Sequence, residues 1–180
     1  TREVESYDVD LSVLGTDGSP AASHNTSFVN VTTGRRFEVL TKALRLPKGE
    51  YQVTSGVHAP DDKVTLLVQP KFQVAGKAGI VLDARTAKPV VLKTPDPAAT
   101  GELGTLSITR EIAGERRSQG WVFFGDLAGQ LHTAHVGPDA PGLTTTISEQ
   151  LAGTPRDDKT PVTYRLTWTE RDRVPTGYHR

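Results

Sequence analysis

Short apolar runs separated by polar breaks fill this chain. They are densest from Val64 to Leu92, where Val64–Val68, Phe72–Val74, Ala78–Leu82 and Pro89–Leu92 are divided by Gln-Pro, Ala-Gly-Lys and Asp-Ala-Arg-Thr. Runs this short, rich in Val, Leu and Ile and bounded by Gly or Pro, predict strands rather than helices. Upstream, residues 7–14 alternate polar and apolar, so Val9, Leu11 and Val13 share one face of a half-buried strand. The cluster Gly15–Pro20 follows as a turn, with Asp17-Gly18 suited to positive φ. Ser27–Val31 and Arg36–Leu40 then flank a Thr-Thr-Gly turn. Residues 39–46 have room for one helical turn, but Leu44-Arg45-Leu46 before Pro47 favours an extended end. A turn at Pro47-Lys48-Gly49 sets Tyr51 and Val53 on one face of the next strand.

Beyond Lys88 the same grammar continues. Pro95–Gly101 reads as a loop or edge connection. Strands are expected over Gly104–Arg110, Trp121–Phe124, Gln130–Val136, Gly142–Ser148 and Pro161–Thr169, with Leu106/Ile108 and Tyr164/Leu166/Trp168 alternating cleanly. The polar segment Glu149–Lys159 is expected to be a surface loop. The pattern therefore predicts an all-β chain of two tandem antiparallel β-sandwiches. One spans residues 1–86. The other spans 87–180, is immunoglobulin-like or jelly-roll-like and not necessarily complete, and the junction lies near Arg85–Lys88.

Composition narrows the function classes. Seventeen Gly and twelve Pro among 180 residues suit turns and short strands. Lys plus Arg equals Asp plus Glu at 21 each, which removes the basic footprint of a nucleic-acid binder. No apolar run approaches the roughly 18 residues that cross a bilayer, so membrane insertion is not expected. Cys is absent and leaves the redox compartment open. Met is absent even from position 1, which reads as a chain cut from a longer product.

Few residues offer chemistry. His132 and His135 are three apart, and on a strand they point to opposite faces, so they do not form a metal pair. The pairs Asp61-Asp62 and Asp157-Asp158 lack the alternating oxygen spacing of a calcium loop; a calcium shared with distant residues is the one cofactor left open. No G-x-S-x-G elbow occurs, so no catalytic residues are assigned. An internal amide between Lys42 and Asn30 beside Glu38 is disfavoured because Lys42 lies outside the first strand. Asn25-Thr26-Ser27 and Asn30-Val31-Thr32 match a glycosylation pattern, as chance would allow. Trp121, Phe123, Phe124 and Trp168 belong first to a core, yet strand alternation puts Phe124 on the face opposite Trp121 and Phe123. Trp121 and Phe124 are the candidate binding residues.

The turn Leu46-Pro47-Lys48-Gly49-Glu50-Tyr51, with Val13-Leu14-Gly15-Thr16-Asp17-Gly18-Ser19-Pro20 upstream, resembles prealbumin-like seven-stranded sandwiches. These include carboxypeptidase regulatory-like domains and the B-type repeats of collagen adhesins. The same turn, with Thr65–Lys71 and Val81–Val90, resembles the non-catalytic region of large secreted subtilisin-like serine peptidases of filamentous high-GC bacteria. That resemblance covers about residues 8–95; further on it has only Tyr164-Arg165-Leu166 and Val174-Pro175. None of the family's catalytic motifs is present. The resemblance implies a secreted, non-catalytic accessory region that stabilises the peptidase or docks a protein, either its own catalytic domain or a substrate. A carbohydrate- or cell-wall-binding sandwich, and an extracellular adhesive protein assembling through strand edges, are the alternatives.

Overall fold

The computed structural model describes residues 4–40 and 43–180. Fourteen strands are found there: β1 (Ser6–Leu14), β2 (His24–Asn30), β3 (Arg36–Glu38), β4 (Ala43–Pro47), β5 (Gly49–His58), β6 (Val64–Val74) and β7 (Ala78–Asp83), then β8 (Lys88–Val91), β9 (Thr100–Ile112), β10 (Glu115–Phe124), β11 (Leu131–His135), β12 (Thr144–Asp157), β13 (Thr160–Arg171) and β14 (Tyr178–His179). One 3-10 turn, Ala84–Thr86, is held by the Asp83 carboxylate accepting from the Arg85 N–H. The fold class is all-β, as the alternation requires. No helix among the described residues is long and apolar enough to cross a membrane.

The strands form three sheets, ordered β4-β1-β7, β14-β8-β11-β6-β5-β2-β3 and β10-β9-β12-β13. Two separate cores show how they stack. The first joins Val9, Leu11 and Val13 of β1 and Leu82 of β7 to Tyr51 and Val53 of β5, Leu67 of β6 and Ala134 of β11. The second joins Leu66 and Val68 of β6, Val90 of β8 and Leu131 of β11 to Leu106, Ile108, Phe123 and Ile147 of the four-stranded sheet. Neighbours Leu66 and Leu67 thus point into different cores, as strand alternation demands. The seven-stranded sheet is a middle layer covered on both sides.

The boundary expected near residue 87 falls between the 3-10 turn and β8, and strands from either side of it share the middle layer. β11 lies parallel to β6, with Leu131 opposite Val64 and His135 opposite Val68. Among the described strands two other pairings are also parallel, β1 with β7 and β14 with β8; the rest are antiparallel.

Two expectations need correction. Gln69-Pro70 does not end a strand: β6 runs through it. The register of β5 against β6 slips between Tyr51 and Val53, opposite Pro70, so the missing proline N–H falls at an irregularity of the ladder. Glu149–Lys159 is not a loop: most of it is the outer half of a hairpin, in which Ala152 pairs with Thr163 and Gly153 with Val162. From Thr154 to Pro161 the side chains are exposed. A segment solvated on both faces carries no apolar alternation, and so reads as a loop.

Local chemistry supports the frame. Ala113 and Gly114 both have positive φ, 55° and 76°, and close β9 onto β10 as the two-residue hairpin turn that matches strand twist. Tyr51 is fully buried and its hydroxyl donates to Pro47 O at 2.6 Å, fixing the preceding turn. Arg110, on β9, reaches the middle layer, donating to Pro70 O at 2.7 Å and Gln52 Oε1 at 3.4 Å and lying 3.5 Å from Glu50 Oε2. Burial lowers its pKa, partly offset by Glu50.

Candidate functional site around strand β10

β10 is an edge strand, hydrogen-bonded on one side to β9 alone. Its first residues, Glu115-Arg116-Arg117, are charged, and its last five, Gly120-Trp121-Val122-Phe123-Phe124, are not. Arg117 donates to Gly34 O at 2.8 Å and the Ala113 N–H to Val31 O at 2.9 Å, so the turn end of the hairpin is tied to the middle layer.

On the outward face Phe124 stands 79% exposed, Val122 60% and Leu103 37%. Phe124 lies directly opposite Leu103 in the ladder, so the three side chains form one patch. The register continues it into a field of Thr and Ser. Thr105 pairs with Val122 and Ser148, Ser148 with Thr167, and Thr146 with Ser107 and Thr169. Ser148 and Thr167 share a hydrogen bond at 3.2 Å. Gln150 and Arg165 close the row that begins at Phe124.

On the inward face Phe123 is buried in the second core and Trp121 packs partly against it. Trp121 also walls a crevice of about 190 Å³ between β10 and the rim of the middle layer. Ser27 and Thr54, paired across β2 and β5, line it with Gly56. Each residue is only 4% exposed, and that residual exposure places the hydroxyls on the crevice rather than among the buried polar atoms left without a partner. The Arg36–Glu38 ion pair, Gln119, Thr26, Val64 and the Asn25–His58 hydrogen bond, 3.1 Å between Nδ2 and Nε2, complete the lining. The two candidate residues therefore sit on opposite sides of one strand, Phe124 on the open surface and Trp121 in the crevice. Sequence alternation assigned those faces; the hydroxyl floor comes from β2 and β5, and nothing local in the sequence links Ser27 or Thr54 to Trp121.

The remaining candidates are dispersed. His132 faces Thr65, Lys63 and Asp61 in a depression of about 400 Å³, and burial, with Lys63, lowers its pKa. His135 is on the other side of β11: its Nδ1 accepts from the Val174 N–H at 3.2 Å, and its Nε2 lies 3.1 Å from Pro138 O. Asp61 pairs with Lys63 at 3.1 Å, and Asp157 accepts from the Lys159 N–H. No group of three metal-ligating side chains occurs among the described residues. Asn30 is buried and its Oδ1 accepts from the N–H groups of Thr32 and Thr33; Lys42 lies outside the described residues. Asn25 is engaged with His58 as above. A chain of His24 Nδ1, Thr26 Oγ1 and Ser55 Oγ, at 2.9 and 2.8 Å, joins a base to hydroxyls, but Thr26 and Ser55 are buried. A depression of about 510 Å³ along β1 has His24 as its one titratable lining residue among those described.

No protein-family model matches the sequence, and no curated protein matches it. Among solved structures, an adhesin candidate from Bacteroides ovatus is similar over 99% of this chain and 90% of its own, with 9% identity and a TM-score of 0.34. A likeness of that degree carries no argument about function.

Proposed function

We propose that the chain is a non-catalytic, exported module that adheres to an insoluble neutral polysaccharide of the cell wall or its surroundings. The observation that carries this reading is the outward face of the four-stranded sheet, where an exposed Phe124–Val122–Leu103 patch continues into rows of Thr and Ser. Single exposed apolar residues are ordinary on protein surfaces, but a contiguous patch marks a contact site. Sugars present apolar C–H faces edged by hydroxyls, and a field of methyls and hydroxyls complements both; the nearby Glu102 carboxylate is held by Gln150 at 2.9 Å. Attached to an exported subtilisin-like peptidase, whose non-catalytic region residues 8–95 resemble, the module would hold the catalytic part near the wall or its substrate.

The test is co-sedimentation of the purified chain with insoluble wall glycan. The wild type is expected to pellet, and the Leu103→Ser/Phe124→Ser double variant to lose at least about tenfold in affinity, equivalent to ~1.4 kcal/mol, with its thermal midpoint unchanged. Equal sedimentation of the two, or none by the wild type, overturns the proposal.

A further inference from the structure

We infer that the crevice beneath Trp121 is a second, separate subsite that holds one uncharged sugar ring, such as the end of a neutral glycan. This deepens the glycan-adhesion reading and rests on it, but uses different residues on the opposite side of β10.

Ser27 and Thr54 are each 4% exposed and lie side by side on adjacent strands, and neither hydroxyl is among the buried polar atoms left without a partner. Their hydroxyls line the crevice together. Each can donate one hydrogen bond and accept two, so the pair fits a ligand that itself both donates and accepts at neighbouring positions. A sugar diol does this; an aliphatic ligand does not.

The walls agree with a polyol. Trp121 supplies an aromatic surface for the apolar side of a sugar ring and an indole N–H donor. Gln119 brings an amide with both donor and acceptor atoms. The one guanidinium in the lining, Arg36, is already paired with Glu38, so no uncompensated arginine awaits an anion. That favours a neutral sugar over a uronate or a phosphorylated one. The volume of about 190 Å³ is below the roughly 300 Å³ at which pockets for drug-sized molecules begin. It admits one ring, not a chain lying along the groove. Gly56 keeps the floor open: a side-chain carbon there would meet nothing nearer than His58 Nε2 at 3.9 Å, so the strand tolerates a side chain that the ligand would not.

The experiment is ¹H–¹⁵N NMR titration of the full chain with glucose, galactose, N-acetylglucosamine and glucuronate. At least one neutral sugar should shift the Trp121 indole N–H and the Ser27 and Thr54 amides at millimolar concentration, with glucuronate weaker. Gly56→Val, which fills the crevice with a residue that strands favour, should weaken binding at least tenfold; Ser27→Ala/Thr54→Val should do the same, while Leu103→Ser/Phe124→Ser leaves the titration unchanged. No shift with any neutral sugar, preference for glucuronate, or an unaltered titration in Gly56→Val and in the double hydroxyl variant each overturns the inference. Wall co-sedimentation that survives such a failure, and is lost in the Leu103/Phe124 variant, leaves the outer-face reading standing. Sugar shifts without wall retention would have the opposite meaning.

Discussion

Glu149 shows what a single residue gives up to the architecture. It projects from β12 toward the interior at 5% exposure, and its Oε1 accepts from the Leu127 N–H at 3.0 Å. Burial is the largest cause of a raised pKa; the Leu127 bond opposes it, and nearby Asp126 adds to it. The sign follows from linkage. A carboxyl whose folded pKa lies above its unfolded value, about 4.3 for glutamate, binds its proton more tightly in the fold, so its contribution to stability is most favourable below the unfolded pKa. That contribution is lost as pH rises through the folded value. Glu149→Gln keeps an oxygen for Leu127 and never ionises. The variant should match or exceed the wild type in urea unfolding near neutral pH, and its advantage should shrink as pH falls through the carboxylate range. A variant less stable than wild type at every pH would show that the carboxylate itself is needed there.

At the scale of elements, β10 combines two opposed designs. Its turn end carries the charges that protect an edge, while Gly120–Phe124 has high strand propensity, no charge and an unpaired ladder edge. Such a segment recruits other strands. Val122→Lys places a charge on the open face without touching the core. It should reduce concentration-dependent association in size-exclusion chromatography and light scattering on warming; unchanged profiles would mean that the edge is already protected. The position and alternation of β10 are legible in the sequence, because Trp121 and Phe123 turn inward while Val122 and Phe124 stand exposed. The outer hairpin of β12 and β13 is not legible, since strand pairing there is stabilised by backbone bonds and leaves polar side chains on both faces. β6 is hidden for a different reason: Pro70 signals a break locally, and only the irregular register on the partner strand β5 cancels it. The crevice is likewise invisible to a linear reading, since it joins β2, β3, β5 and β10 across two sheets.

At the scale of the molecule, the shared middle layer governs stability. A cut at residue 86 would leave β1 to β7 complete and remove β8, β11, β14 and the whole four-stranded sheet. The seven-strand piece would keep the first core, including Val9, Leu67 and Leu82, and lose Ala134 from its border. Its other face would be stripped: Leu66 and Val68, now buried at 1% and 0%, would meet water on a sheet edge exposed by the loss of β11. Uncovering apolar area costs about 25 cal/mol per Å², against a total folding stability of about 5–15 kcal/mol for a domain. The Arg110 contacts to Glu50, Gln52 and Pro70 would vanish with it. The intact chain should therefore unfold in one calorimetric transition, with equal calorimetric and van't Hoff enthalpies. The fragment 1–86 should bind a hydrophobic dye and melt without a cooperative step. Leu66→Thr/Val68→Thr in that fragment should reduce dye binding, because it makes the stripped face polar. Cooperative, dye-free melting of the unmodified fragment would instead establish two independent folding units joined near residue 87, with the middle layer as their docking surface.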